Sequence, residues 1–359
     1  MDVTTSTVVT EGVTLDPTES STFEFSDYTQ RVLVATMFLV IALLGIFGNT
    51  LVILAVLLSK KVRTDTNAFV VNLSVADFLT CLVLPWNAVA LLGREGLPVG
   101  VWVCSITAVV QNATIGCSIF SLVAIALFRF LLITRPATTY HKVYTPKKII
   151  IWLVLIWFVP LFITLLPSFI NIIEFTYSRI YHMCMSISSK DSSRTYNTIV
   201  GGIIYPILLI IIFVCYVLIW RHLKRHSRRM ATVHQEDSVL TPSSIPTTTS
   251  ASLSAVNSQL TRRRNEVTKN MFYVVCAFIL CLTPYAVVVI SGYRPALPYF
   301  FALFFVNSCV NPMIYATKHR DFKTIFGCIL RRQWAAIPEP SEFLKFLQRN
   351  KRCGATADI

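Results

Sequence analysis

One carboxylate, Asp77, and one basic side chain, Arg129, fall inside the long apolar stretches of this 359-residue chain. A charge in hydrocarbon is costly, so Asp77 must face other helices and find partners there. It suits a hydrogen-bonded packing role or the role of oxygen ligand to a hard cation. Arg129 ends its apolar stretch, where a guanidinium can either snorkel to the interface or touch something beyond it. Pro206, Pro284 and Pro312 each interrupt an apolar stretch, and a proline there frees a backbone carbonyl and allows a kink. Asn311 and Tyr315 flank Pro312 and need hydrogen-bond partners in an apolar helix. The chemistry on offer is ion binding and conformational switching rather than bond making. A membrane enzyme would need clustered histidines, acids or nucleophiles. A transporter would need charged or broken-helix sites in several spans.

Seven apolar runs must position these groups: Val32 to Leu58, Ala68 to Leu92, Cys104 to Thr134, Ile149 to Ile170, Thr198 to Trp220, Met271 to Ser291 and Leu297 to Ala316. Each can form a helix long enough to cross the ~30 Å hydrocarbon core of a bilayer. Hydrophobic residues make up 54% of the chain, charged residues only 14%, and the mean hydropathy is +0.63. Soluble proteins carry about 25% charged residues, which argues against a basic nucleic-acid binder built on a water-soluble core. The expected architecture is an all-α membrane protein, a seven-transmembrane helix bundle over 32–316.

The net charge of +14 is unevenly placed. With the N-terminus outside, inner segments sum to +18, outer segments to −3, and Asp77 alone lies within. The positive-inside rule therefore orients the N-terminus outward. Residues 1–31 are acidic, Ser/Thr-rich and free of a signal-peptide pattern, and read as a disordered outer tail. Residues 221–269 form a long basic third inner loop with a Ser/Thr/Pro-rich middle. In 317–359, Phe322, Ile325, Phe326 and Leu330 alternate with basic residues, the spacing of an amphipathic helix on the inner leaflet. Five histidines fall on the inner side and His182 on the outer, so none assembles a metal site in the membrane. The intramembrane cysteines read as packing residues. Cys328, after the amphipathic segment, suits palmitoylation or a plain cysteine.

Several motifs now fall in order, each in its proper span: Gly48-Asn49, then Asn72-Leu73-Ser74-Val75-Ala76-Asp77, then Cys104 with Arg129 25 residues on, Trp157, Pro206, Cys281-Leu282-Thr283-Pro284 and Asn311-Pro312-Met313-Ile314-Tyr315. Together they resemble the rhodopsin-like (class A) G-protein-coupled receptors from Gly48 to Cys328. The stretch from Leu131 to Lys148 looks most like the melatonin-receptor-like orphan group, which includes moody-type receptors.

The resemblance implies a plasma-membrane receptor, not an enzyme, that binds an extracellular ligand and activates heterotrimeric G proteins. Arrestin and receptor kinases would be further partners. It implies a Cys104–Cys184 disulfide and a sodium site formed by Asp77, Ser118, Asn307 and Asn311. No cofactor is required, and the sodium ion would be allosteric. Pro206, Ile119 and Phe278 match the family's transmission triad, and Pro284, Asn311, Pro312 and Tyr315 its moving parts. Arg129 would contact the G protein.

The chain departs from the pattern in three places. The triplet around the arginine is Phe128-Arg129-Phe130, so the family's neighbouring acid is missing. Losing that ion pair would shift the conformational equilibrium by ~1–2 kcal/mol, giving raised basal signalling or a resting lock of another kind. The tryptophan ahead of Pro284 is Leu282. The tyrosine expected eight residues after Pro206 is Val214, and Tyr216 should face elsewhere, since two residues turn a helix by ~200°.

The family pocket maps to Gln111, Asn112, Ile115, Thr198, Gly202, Tyr285, Phe301 and Phe305. Amine receptors place an acid at Gln111, and opsins hold retinal on a lysine where Phe305 stands. An amine ligand is therefore disfavoured, and a light receptor with a covalent chromophore is excluded. The apolar lining suits a small amphipathic or lipid-like molecule, with a peptide as the alternative.

Overall fold

The computed structural model describes residues 23–135, 145–187, 199, 203–240 and 272–355. Seven helices are long and apolar enough to cross a membrane: Tyr28–Leu58, Asn67–Leu92, Val101–Thr134, Pro146–Phe169, Tyr205–Arg225, Phe272–Ser291 and Arg294–Lys318. They are numbered first to seventh below. Each overlaps one of the apolar runs; the fifth is described from Tyr205, seven residues after the expected start at Thr198. The bundle's outward surface is rich in exposed large apolar residues such as Leu43, Phe47, Phe158, Phe213 and Ile290. An apolar surface so extensive is tolerable only in contact with lipid.

Local chemistry sets the ends of the helices. Asp27 caps the first, its Oδ1 accepting from the Thr29 backbone N–H at 2.9 Å. Thr64 caps the second in the same way through Asn67 N–H, at 3.3 Å. The second span is not one continuous helix. It runs Asp65–Val83 and restarts at Pro85–Leu92, because Pro85 has no N–H to continue the ladder. The fifth span runs on beyond the apolar run, as one helix from Tyr205 to Leu240. The first half of the expected third inner loop is thus helical, as a stretch without Pro or Gly allows. Residues 241–271 of that loop lie outside the described residues, as do 1–22 and 136–144.

The third helix is the hub, packing against the second, fourth and fifth. The first helix packs on the second and the seventh. Gly48 makes the latter approach possible: a Cβ there would sit 2.8 Å from Pro312 Cβ. At the end of the bundle that bears the N-terminus, called outer below after the charge bias of the sequence, strand β1 (Glu174–Ser178) pairs antiparallel with β2 (Met183–Ile187). Cys184 of β2 is disulfide-bonded to Cys104, at the start of the third helix. The Cys184 N–H also donates to Asn87 Oδ1 at 2.8 Å.

The outer tail is ordered where it meets this hairpin. Phe25 N–H donates to Ile180 O at 2.8 Å, and the buried Phe25 ring lies edge-on to Tyr299. Glu24 pairs with His182 at 3.1 Å, and His182 Nδ1 lies 2.8 Å from the Tyr177 hydroxyl. Residues 23–31 therefore belong to the fold and not to a disordered tail. Two aromatic rings, a backbone hydrogen bond and the Glu24–His182 contact give this short stretch enough to be held. Arg31, an outer charge by sequence, is buried and donates to Leu91 O at 2.7 Å and to Gly93 O. It closes the orphan carbonyls at the outer end of Pro85–Leu92.

At the inner end a helix, Arg320–Leu330, follows the seventh span, burying Phe322, Ile325, Phe326 and Ile329. A short 3₁₀ turn at Trp334–Ala336 leads to a further helix, Glu342–Ala355, here the tail helix.

Candidate functional site

Asp77 is buried and holds three helices together. Its Oδ1 accepts from Ser118 Oγ at 3.2 Å and from Ser308 Oγ at 3.0 Å, and its Oδ2 from Asn311 Nδ2 at 2.8 Å. Three of these four residues were expected from sequence; Ser308 was not. Asn307 lines the same cavity but makes no hydrogen bond to Asp77. Consecutive residues on a helix are ~100° apart, and the seventh helix turns Ser308, not Asn307, onto the carboxylate. The Oδ1 atoms of Asn307 and Asn311 are buried and have no hydrogen-bond partner among the described residues.

The cavity beside Asp77 is about 10 Å³, room for one water-sized occupant. Asp77, Ser118, Asn307 and Ser308 supply oxygens to its wall. A carboxylate, two hydroxyls and the amide oxygen of Asn307 are donors of the kind a hard monovalent cation takes, so these residues fit sodium; Asn311 reaches Asp77 but is not in the cavity wall. Ile115, Phe278, Leu282 and Phe304 close the rest of the wall.

Two further networks brace this centre. Asn49 Nδ2 donates to Gly45 O at 2.9 Å and across to Ser308 O at 2.8 Å, joining the first and seventh helices. Asn72 donates to Ser121 Oγ at 2.8 Å and accepts from Trp157 Nε1 at 2.8 Å, joining second, third and fourth.

Toward the outer side, Tyr285, Phe301 and Phe305 come together in one aromatic cluster with two residues not anticipated, Phe304 and Phe38. Ring centroids of Phe301 and Phe305 are 4.9 Å apart, and both rings pack on Phe38 of the first helix. The signal for Phe304 was present: it adjoins Phe305 in an aromatic run, and only helical phase decides which ring faces the centre. Gln111 is 1% exposed, and its Nε2 has no hydrogen-bond partner among the described residues. Asn112 is exposed instead, its amide turned back to Ala108 O at 2.8 Å. Ile115 is half-buried at the cavity. Thr198 and Gly202 lie outside the described residues.

Toward the inner side, Phe128 is 1% exposed, its ring centroid 4.3 Å from that of Phe69 in the second helix. Arg129 is buried and Phe130 half-buried. Where the family pattern has an acid, this chain has an aromatic contact between helices. Restoring the acid with Phe128→Asp would press a carboxylate against Phe69.

Tyr216 does not face elsewhere. It is 7% exposed and Val214 45% exposed, and Tyr216 and Tyr315 both lie within electrostatic reach of Arg129. A valine costs little in lipid, whereas a phenol hydroxyl gains from polar neighbours, so the fifth helix turns its tyrosine inward. Tyr315 is fully buried and stacks on Phe322 at 5.7 Å. Pro312, Phe278 and Ile119 are buried, and Pro206 and Pro284 half-buried, all in the spans expected. Cys328 is buried, its Sγ 3.6 Å from Ala336 O. The turn after Arg320–Leu330 covers it, unlike the open position that acylation needs.

The sequence matches the family model described as 7 transmembrane receptor (rhodopsin family) over residues 48–315. The chain is 28% identical to galanin receptor 2b of Danio rerio over 84% of this chain and 77% of that one. It is 30% identical to melatonin receptor type 1B of Rattus norvegicus over 84% of this chain and 79% of that one. The crystal structure of squid rhodopsin superposes with a TM-score of 0.70 at 21% identity, covering 85% of this chain and 86% of that one, which supports the shared fold. Seven spans, a disulfide-tied outer hairpin and a buried acid linking the second, third and seventh helices thus accompany the family match. The chain is a multi-pass membrane receptor, not an enzyme, and belongs to the rhodopsin family of seven-transmembrane, G-protein-coupled receptors.

Proposed function

We propose that this receptor sits in the plasma membrane with its N-terminus outside, binds a small non-amine or lipid-like extracellular ligand, and activates heterotrimeric G proteins. The observation that carries the ligand class is Gln111. Its buried amide donor lacks a partner, and an unpaired buried donor costs ~1–3 kcal/mol until an acceptor meets it. A carbonyl, hydroxyl or carboxylate on an otherwise apolar molecule would satisfy it. The rest of the molecule would meet the aromatic cluster of Tyr285, Phe301 and Phe304. An amide at position 111 offers no counter-ion to an ammonium group. Phe25 packs on Tyr299 and bonds to Ile180 beside the β hairpin, so bulk sits at this end of the bundle, which favours a compact ligand over a long chain.

The outward N-terminus rests on the charge bias, and arrestin and receptor kinases are the partners expected after activation. Sodium at Asp77 is the allosteric ion: the ion would neutralise the carboxylate and take up the amide oxygen of Asn307. At the inner end, Arg129 with Tyr216 and Tyr315 would meet the G protein, and the Pro284 and Pro312 kinks would move.

The test is a ligand panel of neutral and anionic amphiphiles, lipids, amines and peptides, read by G-protein dissociation sensors in cells. A small acceptor-bearing ligand should lose ~10-fold or more in potency on Gln111→Leu, as one lost hydrogen bond in a buried site predicts. Arg129→Ala should abolish coupling. An amine or peptide hit, or a small ligand indifferent to Gln111→Leu, would overturn the ligand reading.

A further inference from the structure

The chain beyond Leu330 is folded back and pinned under the first helix. Ser341 N–H donates to Leu58 O at 2.9 Å, and Ser341 Oγ to Leu57 O at 2.7 Å. Ser59 Oγ donates to Pro338 O at 2.5 Å, and Lys60 N–H to Glu339 O at 2.8 Å. Ser59 and Pro340 form an isolated antiparallel bridge. Lys60 pairs with Glu342 at 2.6 Å, and Lys61 with Asp321 at 3.3 Å. Ile337 and Leu344 are buried at this junction.

These bonds fix the depth of the tail helix. Leu57 and Leu58 are the last residues of the first spanning helix, where it leaves the hydrocarbon, and the tail helix starts one residue after Ser341. Its first turn is therefore held at the level of the lipid headgroups.

Its sequence, Glu342-Phe343-Leu344-Lys345-Phe346-Leu347-Gln348-Arg349, is amphipathic at a helical period. Leu344 turns into the protein. Phe343, Phe346 and Leu347 are left exposed, Phe346 at 60%. At ~100° per residue these three share one arc, with Arg349 at its flank and Lys345, which also pairs with Glu342 at 3.2 Å, farther round. Leu330 and Trp334 are exposed apolar neighbours in the chain leading to it, and Arg331 and Arg332 add positive charge.

We propose that the tail helix is a second membrane-surface anchor, its Phe343–Phe346–Leu347 face seated in the inner leaflet and its basic side chains paired with anionic lipid headgroups. The headgroup depth set by Ser341, the unfilled apolar arc and the positive charge all match a lipid surface carrying negative charge. A cytosolic protein would have no reason to require that depth. The anchor goes beyond the receptor reading and does not depend on it.

Hydrogen exchange on the full-length receptor tests the anchor. The receptor is placed in nanodiscs of phosphatidylcholine alone and of phosphatidylcholine with phosphatidylserine. Both leaflets then carry the same lipid, so the outcome does not depend on which face is cytoplasmic. Amides of residues 343–348 should exchange ~10-fold slower in the anionic discs, and high salt should reduce the difference. Phe346→Asp should remove the protection, and Lys345→Glu with Arg349→Glu should remove its dependence on phosphatidylserine. The amides of Arg320–Leu330 should be unchanged throughout, which reports that the inner face stays folded. Equal exchange in both discs, or protection that appears only when cytosolic protein is added, would overturn the proposal.

Discussion

The Phe69–Phe128 contact is the sharpest point at which this chain can be perturbed. The two rings are 4.3 Å apart at their centroids with planes inclined by 53°, and both side chains are fully buried. Phe128 precedes Arg129, so the contact also fixes the rotation of the third helix at the residue that would meet the G protein. A buried aromatic pair is worth ~0.5–1.5 kcal/mol beyond its area. If that energy belongs to the resting arrangement alone, removing it multiplies the active-to-resting ratio by roughly 2 to 13. The variants are Phe69→Leu, Phe128→Leu and the double substitution, which keep the site apolar and nearly filled. Ligand-free G-protein dissociation, normalised to surface receptor, is the readout. Each single variant should raise basal output by about that factor. The double variant should go no further, because the contact is already lost in each single. Unchanged basal output in both singles would refute the lock. So would a double variant whose increase is the product of the two.

Sodium should raise the thermal midpoint of the purified receptor relative to choline. Asp77→Asn should abolish that difference, and Ser308→Ala should shrink it by a charge-assisted bond of ~1.5–3 kcal/mol; a full sodium effect in Ser308→Ala would remove that residue from the site. Cys184→Ala opens the tie between Cys104 and the outer hairpin and should cost ~2–5 kcal/mol, read as a lower midpoint and lost surface expression. His182 is held below the usual imidazole range by burial and by Arg31, so the folded state binds fewer protons there than the unfolded chain. Stability of the outer cover is therefore complete above about pH 6.5 and declines as pH falls below it. Intrinsic-rate-corrected exchange at residues 23–27 should rise on acidification in the native receptor and stay flat in His182→Gln. Gly48→Val should force the first helix off Pro312 and lower the midpoint by several degrees; an unchanged midpoint would mean the helices can part without loss.

The seven spans were legible because uninterrupted apolar runs have few soluble explanations, and Asp77 because a single acid in such a run is conspicuous. What stayed hidden was helical phase. Asn307 and Ser308 are adjacent polar residues, and only the packing of the seventh helix on the second decides which reaches the carboxylate. Val214 and Tyr216 pose the same problem in the fifth helix, where counting from Pro206 gave the wrong face. The Phe69–Phe128 contact was out of reach for another reason: the two positions are distant in sequence, and nothing local to either names the other. The tail helix did leave a trace. Its Phe343, Leu344, Phe346 and Leu347 repeat at three and four, but a stretch so near the end of a chain invites the assumption that it is loose.

The inner clasp has a meaning in polymer terms. Its hydrogen bonds and the Lys60–Glu342 ion pair join residues 279 to 284 positions apart, closing a loop that holds the second to seventh spans. The first spanning helix is thereby bonded to a segment that lies beyond the seventh. Contacts of such separation form late in folding, since the closure entropy is recovered only once the intervening helices are in place. The Ser59–Ser341 junction is therefore a marker of completed assembly, absent from any receptor whose later spans have not yet docked.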